Sequence, residues 1–432
     1  MRERARPLTV RPFGRLLSSY TVNEIGDSVG IVALAVLVYD RTGEVAPTAA
    51  LFLAGKFLPA LVAPFLTARL DQLAVRRTLP WLYAVEALVF VALAWMSTAE
   101  FALGVVLALA LVDGAIAVTA RALTRGAIAS ILQPANLLRE GNALLNIGFA
   151  VAVVGGSALA GLLISEVGLS AALLADAASF VAIAIVLALT RDLPRPQGES
   201  QATLARLRSG LAFARRDPRV RLLLAGQSVA LILFTLIIPI EVIYAKESLG
   251  TTSAGFGVLL ASWGAGIVAG SLVFVGIRDR PPSNLILLST AAIGLAYLGM
   301  AGAQSLFVAC LLSVLGGTGN GIQWVSVMTA LQEATPSEYQ ARVVGLLESA
   351  LAAMPGVGYL IGGVLTAVSS PRTAYAVAGI GTLVLVLVAM VALRNLRLGR
   401  PTRREEDRAT PAPPRLHGPP DPREITLDTS DR

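Results

Sequence analysis

Apolar stretches recur along nearly the whole chain and alternate with short polar segments that are rich in arginine. Each stretch is about 18 to 25 residues long, and an α-helix needs about 20 apolar residues to cross a hydrocarbon core of ~30 Å. Each stretch is therefore long enough to span a bilayer. The pattern predicts an all-α membrane protein with twelve transmembrane helices, at 16–39, 46–68, 79–97, 101–120, 141–165, 168–190, 222–245, 252–277, 284–303, 305–330, 343–368 and 373–393.

The segments between the predicted spans differ sharply in their content of basic residues. Of the 35 Lys and Arg residues, Lys56 falls inside a span. Only Arg41, Lys246 and Arg372 fall in the segments on one side of the membrane. All the others lie on the opposite side, which is the pattern of cytoplasmic loops. We therefore expect a multi-pass protein of the bacterial inner (plasma) membrane with both termini in the cytoplasm.

The composition of the chain excludes several classes of function. Hydrophobic residues make up 55% of the chain and charged residues 15%, unlike a soluble domain. His417 is the only histidine and Cys310 the only cysteine, so neither a zinc site nor an internal disulfide is expected. Neither lysine stands in a phosphate-binding G-x-x-x-x-G-K-S/T loop, and no nucleophile–base arrangement is visible. We predict no enzymatic activity, metal, cofactor or nucleotide partner.

The net charge of +7 does not indicate a nucleic-acid partner. The arginines are spread over many loop ends, and no soluble domain gathers them into one patch. We expect them to contact anionic lipid head groups at the inner surface.

The spans divide into two groups of six, with a polar segment between them. The predicted parts are a cytoplasmic N-terminal segment at 1–15, a first half at 16–190, a cytoplasmic connector at 191–221, a second half at 222–394 and a tail at 395–432. In the connector, leucines alternate with arginines, which predicts a short amphipathic helix on the inner surface. The tail is rich in proline and charge, so we expect it to be disordered.

The two halves carry traces of an internal repeat. When the first half is shifted by 202 residues, Pro134, Gly156 and Gly161 fall on Pro336, Gly358 and Gly363. Each pair occupies the same topological place in its half. Repeated halves around a central site are typical of secondary transporters.

Ionisable residues inside the spans are the first functional candidates, because a charge in the bilayer costs about 2.5–3.5 kcal/mol on insertion scales. Glu24 and Asp27 are three residues apart in span 1 and share one helical face. Lys56 in span 2 enters from the outer side and reaches a similar depth. The sequence therefore predicts a charge pair between Lys56 and Asp27, either a static contact that fixes the packing of spans 1 and 2 or part of a transport mechanism.

Several ordered motifs resemble the major facilitator superfamily. They are NEIGDSV from Asn23, YDRTG from Tyr39, FLPALVAPF, LGTTSAGFGVLLASWGAG from Leu249 and TPSEYQARVVG from Thr335. Within that superfamily, the chain is similar to the bacterial branch of macrolide-efflux pumps and the enterobactin exporter, the transmembrane secretion effector type. The resemblance covers roughly residues 13–394 and implies the major facilitator fold, two pseudo-symmetric halves of six helices.

The resemblance also assigns roles to residues in two loops and in span 5. The gating loop of the superfamily falls on 67–76, where only Asp71 and Arg76 match its pattern, and Asp279 with Arg280 occupies the corresponding loop of the second half. The antiporter-type glycine pattern of relatives survives in span 5 as GGSALAG, with Ser157 in place of proline. That pattern favours export over uptake.

Spans 1, 4, 7 and 10 line the central cavity in the superfamily, which directs attention to their polar and aromatic residues. Asp113 of span 4 becomes the alternative to Glu24 and Asp27 as a proton-coupling residue. Arg121 and Arg125, at the inner end of span 4, are expected to mark the lipid interface or to bind Asp71. The expected lining of the substrate cavity is Asn23, Gln227, Asn320, Gln323 and Trp324.

The resemblance implies a secondary transporter that exports small amphipathic or lipophilic molecules, drug-like or siderophore-like, by alternating access with protons as the coupling partner. A mixed wall of apolar, aromatic and few charged groups suits such a substrate. Two alternatives stay open on the same scaffold. One is a permease for uptake or for lysolipids, and the other is a membrane receptor or assembly partner that no longer transports.

Overall fold

The computed structural model describes residues 7–70, 74–98, 101–135, 137–190, 193, 203–277 and 280–398. Within these residues all regular structure is helical and no strand occurs, which confirms the predicted all-α class. Ten spans are single helices: span 1 Arg11–Thr42, span 3 Val75–Thr98, span 4 Leu103–Leu132, span 5 Leu138–Glu166, span 6 Leu169–Ala188, span 8 Ser253–Ile277, span 9 Pro282–Gly302, span 10 Leu306–Ala334, span 11 Ser337–Val368 and span 12 Pro371–Leu398.

Spans 2 and 7 are interrupted helices. Span 2 joins the helix Val45–Phe52, a π-helical turn at Leu53–Phe57 and the helix Leu58–Leu70. Span 7 is composed of Pro218–Thr235, a 3-10 turn at Ile238–Ile240, the short helical segment Glu241–Ile243 and a π-helical turn at Tyr244–Ser248. Single π-helical turns inside α-helices are rare and occur frequently at functional sites.

The number of spans agrees with the hydropathy pattern. Among the described residues, 12 helical segments are long and apolar enough to cross a membrane. Helices satisfy their backbone hydrogen bonds internally, which lipid requires. Span 4 differs most from its predicted edge at 120, because the helix continues to Leu132. The first proline after the predicted edge is Pro134, so nothing in the chain stops the helix where its arginines begin.

Each group of six spans packs mainly with itself. In the first group, span 1 packs against spans 5 and 6, and span 4 packs against spans 2 and 3. In the second group, span 10 packs against spans 8 and 9, and span 11 packs against span 7. The two groups therefore form the two halves of the transmembrane region.

The halves contact each other through spans 5 and 8 and through spans 2 and 11. Glycines allow the first of these contacts: a Cβ built on Gly161 would lie 3.0 Å from the Cα of Gly257. In the second, the rings of Phe52 and Tyr359 lie 5.8 Å apart, and a Cβ on Gly363 would lie 2.8 Å from that of Ala49. All these residues lie in the half of their span that the charge pattern places toward the outside.

The connector contains the helix Thr203–Arg216, so a helix is present where an amphipathic one is predicted. Its Phe213 ring stacks on Tyr339 of span 11 at 4.5 Å, and its Ala214 is buried in a small apolar cluster with Val343 and Leu347. At these positions the helix therefore contacts the second half of the protein. The predicted part boundaries themselves stay predictions.

The chain clusters into two compact units, 1–390 and 391–432. The described part of the second unit, 391–398, is helical. The rest of the predicted tail lies outside the described residues.

Candidate functional site

Three charged side chains from two spans meet inside the first half. The Arg121 Nε atom of span 4 lies 2.8 Å from Glu24 Oε1, and its Nη2 atom lies 3.0 Å from Asp27 Oδ2. Asn23 donates a hydrogen bond of 3.2 Å from its amide to the same Asp27 oxygen. We call Glu24, Asp27 and Arg121 the charge cluster.

Helical geometry explains how span 1 presents both acids to one arginine. Residues three apart in a helix lie on one face, so Glu24 and Asp27 point in the same direction. Arg121 reaches them because span 4 stays helical well beyond it. At about 1.5 Å per residue, eleven further residues place Arg121 about 16 Å from the end of its helix at Leu132.

The charge cluster is unevenly buried. The exposed fraction of the side chain is 5% for Glu24, 12% for Asp27 and 33% for Arg121. A charged group that far along a span faces water or protein, because exposure to lipid would cost several kcal/mol. Arg121 is thus the most exposed member of the charge cluster, and the two acids are the more deeply buried ones.

The structure gives Asp27 a different partner from the predicted one. Lys56 is exposed, and among the described residues no carboxylate oxygen lies within the 4.0 Å ion-pair distance of its amine. Lys56 sits in the π-helical turn of span 2, which alters the rotation of the helix at that level. The predicted pairing was based on the depth that the helical rise gives, but depth does not fix the direction in which a side chain points.

The structure also gives Arg121 two partners that the sequence analysis does not predict. We expected it to mark the lipid interface or to bind Asp71, and the structure instead pairs it with both acids of span 1. The signal that could have found this is the lack of any proline between 103 and Pro134, which predicts one long helix. Arg125, one turn further, lies 3.5 Å from the hydroxyl of Tyr20.

Three more acids of the first half lie in the interior. Glu86 of span 3 has an exposed fraction of 0%, and neither of its carboxylate oxygens has a hydrogen-bond partner. Asp176 of span 6 accepts a 3.2 Å hydrogen bond from Ser179 on one oxygen only. Asp113 of span 4 is partly exposed, but its Oδ1 atom is buried without a partner.

Glycines hold Asp113 close to span 2. A Cβ built on Gly114 would lie 2.2 Å from the carbonyl oxygen of Gly55, which belongs to the π-helical turn. Only a residue without a side chain permits this crossing. The turn that carries Lys56 and the helix that carries Asp113 are therefore in backbone contact.

The second half contributes neutral polar groups from spans 7 and 10. Gln323 of span 10 donates a buried hydrogen bond of 2.6 Å to Gln227 of span 7. Asn320 is partly exposed one turn away, and the Trp324 side chain is 38% exposed. The structure thus brings two of the predicted cavity residues into contact, whereas a substrate-binding role for any of them stays a prediction.

Two polar contacts join spans 1 and 7 at their predicted outer ends. Lys246 forms an ion pair with Asp40, and the Tyr39 hydroxyl donates a hydrogen bond to Glu247. The Lys246 amine also lies 5.9 Å from the centre of the Tyr39 ring. These contacts bridge the two halves at one side of the protein.

The predicted gating loops are only partly described. Asp71 and Asp279 lie outside the described residues, and Arg76 is exposed. Arg280 lines a cleft of about 240 Å³ at the inner ends of spans 8 to 10, together with Ser326, Thr329 and Glu333. No group of three His, Cys, Asp or Glu side chains that could hold a metal ion occurs in the described part of the chain.

Known proteins share features of this chain's sequence and fold. A sequence model of the Major Facilitator Superfamily matches residues 222–425. No curated protein sequence matches the chain significantly. The solved structures described next are less than 25% identical to this chain, and at that distance a likeness shows the fold alone.

Three solved structures illustrate the likeness. The nucleoside transporter NupG is 12% identical, with a TM-score of 0.69 over 88% of this chain and 99% of that one. A POT family transporter in complex with a thioalcohol-conjugated peptide is 11% identical, with a TM-score of 0.70 over 90% and 97%. A bacterial homolog of the human lysosomal transporter Spinster, in an inward-facing and unoccupied conformation, is 16% identical, with a TM-score of 0.66 over 92% and 99%. The chain therefore has the major facilitator fold.

Proposed function

We propose that this chain is a secondary active transporter of the major facilitator superfamily that exports small amphipathic or lipophilic molecules by alternating access and proton antiport. The observation that carries the proposal is the charge cluster, in which Arg121 is shared between two acids inside the membrane. The narrower likeness to macrolide-efflux and enterobactin-exporter proteins, stated from sequence motifs, supports the direction.

A shared arginine makes the cluster sensitive to protons. When both acids are ionised, Arg121 neutralises only one of their two charges. Protonation of Asp27, the more exposed acid, would remove the excess charge and weaken the contact between spans 1 and 4. We assign Asp27 as the principal proton-coupling residue, Glu24 as its accessory and Asp113 as the alternative.

The contacts between the halves support an inward-facing state. Spans 1 and 7 are joined at their predicted outer ends by the Asp40–Lys246 pair, and the glycine contact of spans 5 and 8 lies on the same side. The one-third exposure of Arg121 supports an opening toward the cytoplasm. In the opposite state these outer contacts would separate, because alternating access rocks one half against the other.

Polar and aromatic residues of the second half support the proposed substrate class. Gln227 and Gln323 offer neutral hydrogen-bonding groups, and the exposed Trp324 ring offers an aromatic surface. A site with aromatic surface and few directional polar groups favours molecules with a large apolar body. We assign Asn23 of the first half and Asn320 of the second half to the lining of the same substrate cavity.

The test is dye transport by the full chain in a pump-deficient bacterial host and in inside-out vesicles, with ethidium as the probe. Export predicts energy-dependent accumulation of ethidium in the vesicles. The gradient-driven rate of the Asp27→Asn variant should be at least ten-fold lower. Glu166→Gln, which removes a carboxylate at the exposed outer end of span 5, is the matched control and should keep the rate.

The alternatives predict different outcomes of the same assay. An uptake or lysolipid permease would move its probe in the opposite direction, from outside to cytoplasm. A receptor that no longer transports would show no flux of ethidium or of a broader dye and drug panel. Full-rate export by the Asp27→Asn variant against a gradient would refute the role of Asp27.

A further inference from the structure

Lys56 is a cation within the membrane region that takes no part in the charge cluster. It belongs to the π-helical turn of span 2, about 16 Å along the helix axis from Val45, where the span begins. Its side chain is exposed, and no ion pair joins it to an acid of the described chain. An amine without a counter-charge at this depth requires water or a negatively charged ligand.

Span 2 has an apolar exposed side beyond the π-helical turn, and Lys56 does not lie on it. The exposed large apolar residues there are Leu58, Leu61, Val62 and Phe65. Steps of three or four residues put all of them on one helical face, which suits contact with lipid. Lys56 instead shares a face with Pro59 and Ala63, three and seven residues further on, and both of these are buried in the protein. The exposed amine therefore faces a space inside the protein and not lipid.

The residues on either side of Lys56 pack against different halves of the protein. A Cβ built on Gly114 of span 4 would lie 2.2 Å from the carbonyl oxygen of Gly55. A Cβ built on Gly356 of span 11 would lie 2.3 Å from the ring of Phe57. Lys56 is thus held at the boundary between the two halves, where secondary transporters bind their substrates.

The acids of the neighbouring spans do not neutralise Lys56. Asp113 precedes Gly114 in span 4, but its carboxylate forms no ion pair with the amine, and its Oδ1 atom is buried without a hydrogen-bond partner. Glu24 and Asp27 of span 1 are bound by Arg121 at 2.8 and 3.0 Å. The positive charge of Lys56 therefore stays available to a ligand between the halves.

We propose that Lys56 is a substrate-binding residue that selects amphipathic molecules with an acidic group, a carboxylate or a sulfonate. Its ammonium group is a compact charge with three hydrogen-bond donors, and it forms short charge-assisted hydrogen bonds with the oxygens of such a group. The inference rests on the proposed function, because the ligand is taken to be the transported molecule. Binding itself needs neither flux nor a gradient, so it can be measured without transport.

The test is equilibrium binding to the full chain in neutral detergent, followed by fluorescence anisotropy, with carboxyfluorescein as the anionic probe and ethidium as the cationic one. Lys56→Gln should raise the Kd of carboxyfluorescein by about ten-fold or more and lower that of ethidium, because the lost charge attracts one probe and repels the other. Lys56→Arg keeps the charge and should keep most of the affinity for carboxyfluorescein. Arg216→Gln removes one positive charge at an exposed position of the connector helix, and as the control it should leave both Kd values in place.

A chemical measurement on the unchanged chain keeps the test decisive if Lys56→Gln does not fold. Lys56 and Lys246 are the only lysines of the sequence, so peptide mass spectrometry can assign acylation by a water-soluble amine reagent, sulfo-N-hydroxysuccinimide acetate, to each of them. Lys56 should react, because its amine is exposed to water between the halves. Carboxyfluorescein should slow that reaction, and ethidium should not.

Several results would overturn the proposal. They are the absence of saturable carboxyfluorescein binding, an unchanged Kd of carboxyfluorescein in Lys56→Gln, equal weakening of both probes in that variant, and acylation of Lys56 that fails to occur or that carboxyfluorescein does not slow. Loss of ethidium export in Asp27→Asn has no bearing on these equilibrium measurements. Failure of the anion site and failure of the proposed export function are therefore distinguishable.

Discussion

Removal of Arg121 tests the charge cluster most directly. In Arg121→Gln, two carboxylates stay in the interior of the first half without a counter-charge, with side chains that are only 5% and 12% exposed. The variant should be markedly less stable. In Arg121→Gln combined with Asp27→Asn, part of the stability should return, because the uncompensated charge is then removed.

The magnitude follows from the distances. Two unit charges 3.0 Å apart interact by about 5 kcal/mol at an effective dielectric constant of ~20. The desolvation of both groups offsets much of this energy, and the 33% exposure of Arg121 screens part of the rest. We expect a coupling free energy of about 2 kcal/mol between Arg121 and Asp27, within the range of ~0.5–3 kcal/mol for residues in contact.

The assay is a double-mutant cycle on the free energy of unfolding, measured by denaturing-detergent titration and followed by far-ultraviolet circular dichroism. The same cycle on Lys56→Gln and Asp27→Asn is the control and should give a coupling near zero, since Lys56 is exposed and has no ion-pair partner among the described residues. A coupling of Arg121 with Asp27 below ~0.5 kcal/mol would refute the geometry. A larger coupling free energy of Asp27 with Lys56 than with Arg121 would support the Lys56–Asp27 pair expected from sequence.

Two further predictions concern packing and buried polarity. Gly114→Ala should lower the free energy of unfolding by about 1–3 kcal/mol, because the added methyl group would lie 2.2 Å from the Gly55 carbonyl oxygen, whereas Gly126→Ala in the same span meets nothing within 4 Å. Equal effects in thermal unfolding would contradict the close crossing. Gln227→Leu should cost about 1–3 kcal/mol by leaving Gln323 unpaired, and adding Gln323→Leu should recover most of that loss. A double variant no more stable than the single one would argue against the hydrogen bond.

Hydropathy alone was sufficient for the number and the order of the spans. In lipid, a segment must satisfy its own backbone hydrogen bonds, so an apolar stretch that is long enough to span the bilayer predicts a helix. The position of a span's end is harder to predict, because a helix ends where its backbone hydrogen bonding is interrupted and not where its side chains become polar. Span 4 shows this, since it continues past Arg121 to Leu132.

Glu24 and Asp27 could be identified from sequence because their spacing puts both on one helical face. Their shared partner Arg121 could be placed inside a span, because no proline interrupts span 4 before Pro134, but the sequence does not indicate that its side chain points toward span 1. The Gln227–Gln323 contact joins residues 96 positions apart, and neither the spacing nor the composition of the two spans indicates it.

The tertiary structure decided which charges meet. A rise of about 1.5 Å per residue gives the depth of a side chain in the membrane, and it placed Lys56 and Asp27 near one level. The direction in which each side chain points depends on how the helices rotate and how closely they cross. Those two quantities are set here by the π-helical turn at Leu53–Phe57 and by the contact of Gly55 with Gly114, and the second of these joins two different spans.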